Sequence, residues 1–281
     1  MRIALIADIH ANALALEAIL KEIKRRGADR ILSLGDQVNL GPCPCETLEL
    51  LKENDVTCLH GNHERYILSA MRGDPAYSGA NFRSLYFNAQ KLTPEAITFP
   101  KVLEIGCVTF CHALPEDDRF PLSEPERTLP LLQKKETDKP LHIVCGHAHN
   151  PISYRLGNLT LDCIGSAGCM DEGVGGMTTF TMMDLQKEGF SLKPVFLPYD
   201  PSPLRAQFIQ SGMADFCPIM AHIACLQMTN NFDFLMDFVT RARRLSEEKR
   251  EERMSPETWQ EADRRYPWPG GISTAAFWAG N

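Results

Sequence analysis

The chain opens with Met1-Arg-Ile-Ala-Leu-Ile-Ala-Asp-Ile-His10, in which a short apolar run leads directly into polar residues. The run from Ile3 to Ala7 predicts a buried strand. Side chains alternate along a strand, so Asp8 and His10 are expected to leave its carboxyl end on the same side. Open α/β sheets bind ligands at that end, and a carboxylate oxygen beside an imidazole nitrogen suits a metal ion. Taken alone, the pair is also compatible with a capping Asp and a polar loop His.

Further strand-like runs end in the same way. Residues 30–34 and 56–59 predict strands that alternate with helices, which indicates parallel pairing through right-handed crossovers. Two later runs, residues 107–111 and 141–145, end in histidines, and the runs that follow to about residue 198 are hairpin-like. The polar residues at these strand ends are Asp8, His10, Asp36, Asn62, His63, His112, His147 and His149.

The chemistry of this set predicts which ions it could bind. Hard oxygen ligands mixed with imidazoles suit Mn, Fe, Zn or Ni, and do not favour a site for Mg or Ca alone. Even seven ligands from this set of eight residues would be too many for one four-coordinate ion, whereas two metal ions about 3.5–4 Å apart would account for them. Two divalent ions with a bound hydroxide would leave the site positive and suited to an anionic phosphate oxygen.

The motifs Asp-x-His, Gly-Asp, Gly-Asn-His-Glu, a strand-end His and Gly-His-x-His, in this order, resemble the calcineurin-like metallophosphoesterase superfamily. The segment Gly35-Asp-Gln-Val-Asn-Leu-Gly-Pro42 resembles its compact prokaryotic phosphoesterase branch. The resemblance spans residues 1 to about 197. It implies an α/β fold, a four-layer β-sandwich of two mixed sheets flanked by helices. It also implies hydrolysis of a small phosphate ester or nucleotide by a metal-bridging hydroxide, without a phospho-enzyme.

The resemblance implies a role for each strand-end residue. One divalent or mixed-valence transition-metal ion would bind Asp8, His10 and His149, and a second would bind Asn62, His112 and His147, with Asp36 bridging both. His63 would be the catalytic histidine that contacts substrate and protonates the leaving oxygen, paired with the carboxylate of Asp36 or Glu64. Asn62, His63 and Arg65 are the predicted substrate contacts. Asn39 departs from the Tyr or Asp of some relatives, so the rim of the pocket is expected to differ.

The sequence also suggests how the chain is divided. Residues 1–198 are predicted to form the phosphoesterase domain, with residues 64–100 as a helical cap or lid. Residues 199–281 are predicted to form a mostly helical extension that packs on the domain or on a second subunit. One or two helices are expected over residues 208–240. His60, His142 and His222 are interpreted as structural.

Composition narrows the partners and the compartment. The net charge of −7 and the pI of about 5.6 argue against a polymeric nucleic-acid partner, which calls for a basic face. No apolar stretch approaches the roughly 20 residues of a membrane span, and we expect a cytoplasmic protein. Two alternatives remain open at this stage: a catalytically idle scaffold of the same fold, and a protein serine/threonine phosphatase. The sequence does not separate monoesterase from diesterase activity.

Overall fold

The computed structural model describes residues 1–135 and 139–280. Residue 281, the last of the predicted extension, and residues 136–138 lie outside this described part. Among the described helices, none has both the length and the apolar character needed to cross a membrane.

The first sheet places three parallel strands beside an antiparallel hairpin. The strands β1 (Arg2–Ile6), β2 (Arg30–Ser33) and β3 (Thr57–Cys58) run parallel and are linked by the helices α1 (Ala13–Arg26) and α2 (Pro44–Glu53). On its other edge, β1 pairs antiparallel with β9 (Met177–Gln186), which pairs in turn with β10 (Gly189–Pro198). The carboxyl ends of β1, β2 and β3 therefore meet at one edge, as the alternation of strands and helices predicts.

The second sheet is also mixed. Its strand order is β4 (Val102–Ile105), β5 (Val108–Cys111), β6 (Leu141–Cys145), β8 (Leu159–Cys163) and β7 (Ile152–Leu156). The central strands β5, β6 and β8 are parallel, and the two edge strands are antiparallel to their neighbours. The predicted hairpin over residues 152–163 is confirmed as β7 and β8.

The two sheets pack face to face, and helices cover the first sheet on its outer side. In β1, Ile3 and Leu5 join the cluster between the sheets, which includes Phe110 of β5. The alternate residue Ile6 packs with Leu16 of α1 on the opposite face. Both faces of β1 are thus buried, which explains why its sequence is continuously apolar rather than alternating. The predicted sandwich of two mixed sheets flanked by helices is confirmed.

Smaller helices form in the segments that connect the strands. Residues 64–100 contribute most of α3 (Asn62–Met71) and all of α4 (Arg83–Ala89), which share a small apolar core that includes Ile67 and Leu85. The helix expected after Pro125 is present as α5 (Pro125–Gln133).

The C-terminal region is helical and has its own apolar core. Over residues 208–240 the structure contains parts of four helices where one or two were expected, because Gly212 and Asn231 adopt left-handed backbone angles and Pro218 begins a new helix. These four are α6 (Leu204–Gln210), α7 (Met213–Phe216), α8 (Pro218–Asn230) and α9 (Phe234–Glu248), and the region continues with α10 (Pro256–Arg265) and α11 (Thr274–Ala279). Within this core the ring of His222 stacks between Trp268 and Phe277, at centroid distances of 4.2 and 4.1 Å.

Candidate metal centre

Tight loops at the strand ends hold the predicted ligands. β1 ends at Ile6, and Asp8 and His10 follow it with φ angles of 53° and 51°. The two side chains do lie close together, but the expected reason is wrong. Strand alternation does not place them, because both residues lie in left-handed backbone beyond the strand. Asp36, His147 and His149 share this conformation, with φ angles of 55°, 74° and 58°. Left-handed backbone at non-glycine residues is uncommon and concentrates at functional sites.

Asp8, His10 and His149 form the first group of converging side chains. Their potential ligand atoms lie within 4.8 Å of one another, and the Nε2 atoms of the two histidines are 3.0 Å apart. Asp8 Oδ2 accepts the backbone N–H of His147, whereas Asp8 Oδ1 and His10 Nδ1 are buried and have no hydrogen-bond partner within residues 1–135 and 139–280. Buried polar atoms without partners are costly, and a cation bound among these oxygen and nitrogen donors would satisfy them.

Asp36, His112 and His147 form the second group, again with ligand atoms within 4.8 Å of one another. His112 Nδ1 lies 2.9 Å from the carbonyl oxygen of Leu34 and donates to it, which leaves the Nε2 lone pair of the neutral ring exposed to the cluster. That Nε2 lies 2.8 Å from Asn62 Oδ1 and 3.3 Å from Asp36 Oδ2. Three atoms that can all act as acceptors thus face one another, an arrangement that a shared cation stabilises.

Asp36 lies between the two groups. It belongs to the second group and also to a set with His10 and His63, so one carboxylate is close to side chains of both groups. All seven predicted ligands converge at this point of the fold, and all but the two histidines of the loop after β6, which are partly exposed, are at least 97% buried. The donor set of carboxylate, amide and imidazole fits transition-metal ions, while its role as a ligand set stays a prediction.

Burial strongly perturbs the titration of these groups. It raises the pKa of Asp8 to about 6 and lowers the pKa of His147 to about 3. Burial also acts to lower the pKa of His112, but the neighbouring carboxylate of Asp36 outweighs it and raises that pKa to about 10. A bound divalent cation favours ionised carboxylates and neutral imidazoles, the forms in which these residues can act as ligands.

Two glycines allow the loops to approach the carboxylates. A Cβ atom on Gly61 would lie 2.2 Å from Asp36 Oδ1, and one on Gly146 would lie 2.8 Å from Asp8 Oδ2. Both distances are far below van der Waals contact, so any side chain at these positions would displace a predicted ligand.

Glu64 fastens two of the loops to each other rather than pairing with His63. Its Oε1 accepts the backbone N–H groups of Gln37 and Val38, and its Oε2 accepts those of Asp36 and Gly61, at 2.8–3.3 Å. The residue is fully buried. The suggestion that Glu64 is the carboxylate partner of His63 is therefore wrong, because all four of these bonds are to backbone amides.

The ring of His63 is held by Asn39, a contact that sequence reasoning missed. Asn39 Nδ2 lies 2.7 Å from His63 Nδ1, whereas the nearest carboxylate oxygen, Asp36 Oδ2, lies 3.9 Å from His63 Nε2. Asn39 also exchanges hydrogen bonds with Asn88 of α4. The departure at position 39 was visible in the sequence, but its contact with a histidine 24 residues away was not.

A second missed contact involves His149. Its Nδ1 lies 3.0 Å from Asp171 Oδ1, and the same oxygen accepts a hydrogen bond of 2.8 Å from Gln227 Nε2 of α8. No local pattern marks either residue, because the three positions are 22 and 56 residues apart.

Charged and aromatic side chains line the approach to His63. The guanidinium of Arg65, a predicted substrate contact, forms two bonds of 2.7 Å to the carboxylate of Asp118. The ring of Tyr66 is near both residues, 4.8 Å from the guanidinium carbon of Arg65 and 5.5 Å from the ring of His63. The exposed Arg119 lies 5.6 Å from the Tyr66 ring and forms no ion pair within the described residues, and sequence reasoning missed it.

A recess of about 150 Å³ opens beside His112. Its lining includes the basic side chains of His60, Arg65 and Lys101 and the acidic residues 116–118. His60 Nδ1 is buried and has no hydrogen-bond partner in the described part of the chain. The approach to the centre is therefore polar and of mixed charge.

Comparison with known proteins agrees with this arrangement. A sequence model of the calcineurin-like phosphoesterase family matches residues 1–174. The uncharacterized protein MJ0912 of Methanocaldococcus jannaschii is 44% identical over 66 residues, which is 24% of this chain and only 27% of that protein's length.

Two solved structures share the fold. A metallophosphoesterase from Sphaerobacter thermophilus superposes with a TM-score of 0.58 at 23% identity, over 75% of this chain and 95% of that one. The hypothetical protein PH1004 from Pyrococcus horikoshii OT3 superposes with a TM-score of 0.59 at 19% identity, over 82% of this chain and 98% of that one. Because the family match covers well over half of the 281 residues, the chain belongs to the calcineurin-like phosphoesterase family.

Proposed function

We propose that this protein is a dinuclear metal-dependent phosphoesterase that hydrolyses a small phosphate ester or nucleotide. The observation that carries the proposal is the pair of ligand groups that meet at Asp36. Asp8, His10 and His149 would hold one ion, Asn62, His112 and His147 the other, and Asp36 would bridge them. When bound, such ions neutralise phosphate charge and lower the pKa of a water molecule toward neutrality. Mn, Fe, Zn and Ni suit the donors.

His63 is the proposed group that stabilises the leaving oxygen. The backbone N–H of Asn39 is a fixed donor to Asn88 Oδ1, so the amide group of Asn88 presents its Nδ2 to Asn39 Oδ1. Asn39 then presents its own Nδ2 to His63 Nδ1. Because that ring nitrogen accepts, the proton of the neutral imidazole lies on Nε2, as assigned from this network. Nε2 is the ring nitrogen nearest Asp36, and its N–H can donate a hydrogen bond to the leaving oxygen as negative charge develops there.

The proposed substrate contacts follow from position and free hydrogen-bonding capacity. Asn62 and His63 lie at the cluster itself. Arg65 lines the adjacent recess with its guanidinium bonded to Asp118, so we assign it mainly to shaping that wall. Arg119 is the exposed cation beside Tyr66, and we assign to it the anionic remainder of a nucleotide or other small phosphoester.

Metal analysis and a phosphoester panel test the proposal. Purified protein should contain close to two transition-metal ions per chain and should hydrolyse p-nitrophenyl phosphate or bis(p-nitrophenyl) phosphate after loading with Mn²⁺. His63→Ala should retain its metal and lose about 100-fold or more in kcat. His142→Ala is the matched control, since that histidine contacts Thr160 and Phe190 and lies outside the cluster.

The alternatives give different results. A scaffold protein would purify with little metal and would tolerate Asp36→Ala without loss of its partner binding. A metal-loaded protein that hydrolyses phosphoserine peptides but neither aryl phosphates nor nucleotides would instead indicate a protein phosphatase.

A further inference from the structure

We propose that Asp171 and Gln227 are positioning residues for His149, so that the C-terminal helical region completes the metal centre. The inference rests on the proposed function, because it takes His149 as a metal ligand. Its basis is a chain of two hydrogen bonds that begins in α8 and ends on the imidazole ring.

The first bond fixes the ring of His149. Its Nδ1 lies 3.0 Å from Asp171 Oδ1, and a carboxylate only accepts, so the ring proton lies on Nδ1. The Nε2 lone pair is then free, and it faces His10 Nε2 at 3.0 Å within the first ligand group. An outer carboxylate that sets the orientation and tautomer of a ligand histidine in this way is a recurring feature of metal sites.

The second bond fixes Asp171, and its direction follows from a backbone donor. The N–H of Leu235, at the start of α9, donates to Gln227 Oε1 at 3.1 Å. The amide group of Gln227 therefore presents its Nε2 to Asp171 Oδ1, at 2.8 Å. Gln227 is only 1% exposed. A buried glutamine with both ends engaged has a single orientation, so α8 and α9 jointly determine where Asp171 lies.

The loop that carries Asp171 is fastened to the same helices. Asn231, directly after α8, donates from Nδ2 to the carbonyl oxygens of Val174 and Met177, both at 2.8 Å. Glu172 forms an isolated β-bridge with Phe232. The part of the loop after Asp171 is therefore bonded to the C-terminal region, and the family match ends within it at residue 174.

Two parts of the chain therefore contribute to one predicted ligand, His149. The matched segment supplies both His149 and Asp171, while Gln227, beyond that segment, holds Asp171 in place and through it the ring of His149. Loss of this support should weaken the ion held with Asp8 and His10 more than the ion held with Asn62, His112 and His147.

Metal titration of the full-length protein tests the inference. Gln227→Met keeps the shape of the side chain and removes both hydrogen bonds. In competition with a chromophoric chelator, it should bind one of two Co²⁺ ions about tenfold more weakly than the wild type, with the other unchanged, and with an altered visible absorption of the weakened Co²⁺. Asp171→Leu should show the same pattern, and the double variant should be no worse than Asp171→Leu alone.

Two variants separate positioning from general stability. Asp171→Asn keeps an acceptor oxygen for His149 and should retain most of the affinity that Asp171→Leu loses. Thr274→Val removes buried hydrogen bonds of the C-terminal region to His222 and Asp263, far along the chain from the loop. It should lower the melting temperature while both Co²⁺ affinities stay at the wild-type values.

The possible failures are distinguishable. If the wild type binds two ions and turns over substrate, but Gln227→Met matches it in affinity and absorption, the positioning role is wrong and the proposed function stands. If Thr274→Val weakens Co²⁺ binding as much as Gln227→Met does, the effect is one of stability and the inference also fails. A wild type that binds no metal overturns both proposals.

Discussion

At the scale of single residues, the side chain of Asn39 determines which nitrogen of His63 carries the proton. Asn39→Gly removes that side chain and suits the left-handed backbone at this position, where φ is 74°. The ring of His63 would then lose the bond to Nδ1 and its orientation. We expect kcat for an aryl phosphate to fall by about tenfold to 100-fold with little change in KM, because a misplaced hydrogen-bond donor affects the transition state more than binding.

Asn39→Asp is the matched control for this prediction. Its carboxylate tolerates the same backbone and can still bond to both His63 and Asn88. Because a carboxylate only accepts, it favours the imidazolium form of His63, which carries a proton on Nδ1 and keeps the one on Nε2, so the variant should retain most of the activity that Asn39→Gly loses. Equal kcat values for Asn39→Gly and the wild type would show that His63 needs no support from position 39.

The contrast between ligands and their supports shows what a sequence can reveal at this scale. Every predicted ligand follows an apolar run, so its place at a strand end could be inferred from local pattern. Asn39, Asp171 and Gln227 act on histidines far away in the chain, and polar residues of this kind are common in loops and helices. Only the folded chain brings them together. The same holds for Arg65, whose engagement by Asp118 depends on a residue 53 positions later.

At the scale of elements, Glu64 connects the loop after β2 to the start of α3. Glu64→Gln replaces one acceptor oxygen with an NH₂ group that would face two backbone N–H donors. Buried donors left without acceptors cost about 1–3 kcal/mol, so we expect the free energy of unfolding to fall by about that amount. Urea unfolding in the presence of EDTA would measure the change without a contribution from bound metal.

Glu17→Gln provides the comparison, because Glu17 is exposed on α1 and such surface changes usually stay within about 0.5 kcal/mol. Equal stability of Glu64→Gln and Glu17→Gln would contradict the role assigned to the buried carboxylate.

The elements themselves were predictable where periodicity is strong and less so where backbone geometry decides. The alternation of strand and helix gave the parallel strands β1 and β2 and the helix between them. β3 is only two residues long, and its pairing depends on the sheet rather than on its own sequence. The left-handed loops after β1, β2 and β6 carry no glycine at the ligand positions themselves, so the sequence held no signal for the geometry that replaces strand alternation there.

At the scale of the whole molecule, the core between the sheets and the core of the C-terminal region arise from different sequence patterns. The core between the sheets follows from alternation within strands. The core of the C-terminal region instead depends on α8, which is apolar on all sides and therefore gives no amphipathic pattern from which a packing face could be read. The helical nature of this region was predictable from its composition. The contact of α8 with the loop around Asp171 was not, because no face of the helix stands out as the packing face.

The buried His222 makes the stability of this C-terminal core dependent on pH. Burial lowers the pKa of His222 from 6.5 to about 4, and its Nδ1 bonds to Thr274. In the unfolded chain the ring gains a proton near pH 6.5, while in the folded chain it stays neutral until about pH 4. Its contribution to stability is thus fully present above pH 6.5 and is lost as the pH falls to 4, by on the order of 2–3 kcal/mol.

His222→Phe keeps an aromatic ring between Trp268 and Phe277 and cannot titrate, so its free energy of unfolding should fall less steeply than that of the wild type over this window. Urea unfolding at several pH values in EDTA measures the difference, in which groups common to both proteins cancel, and parallel curves would show that His222 titrates alike in the folded and unfolded chains.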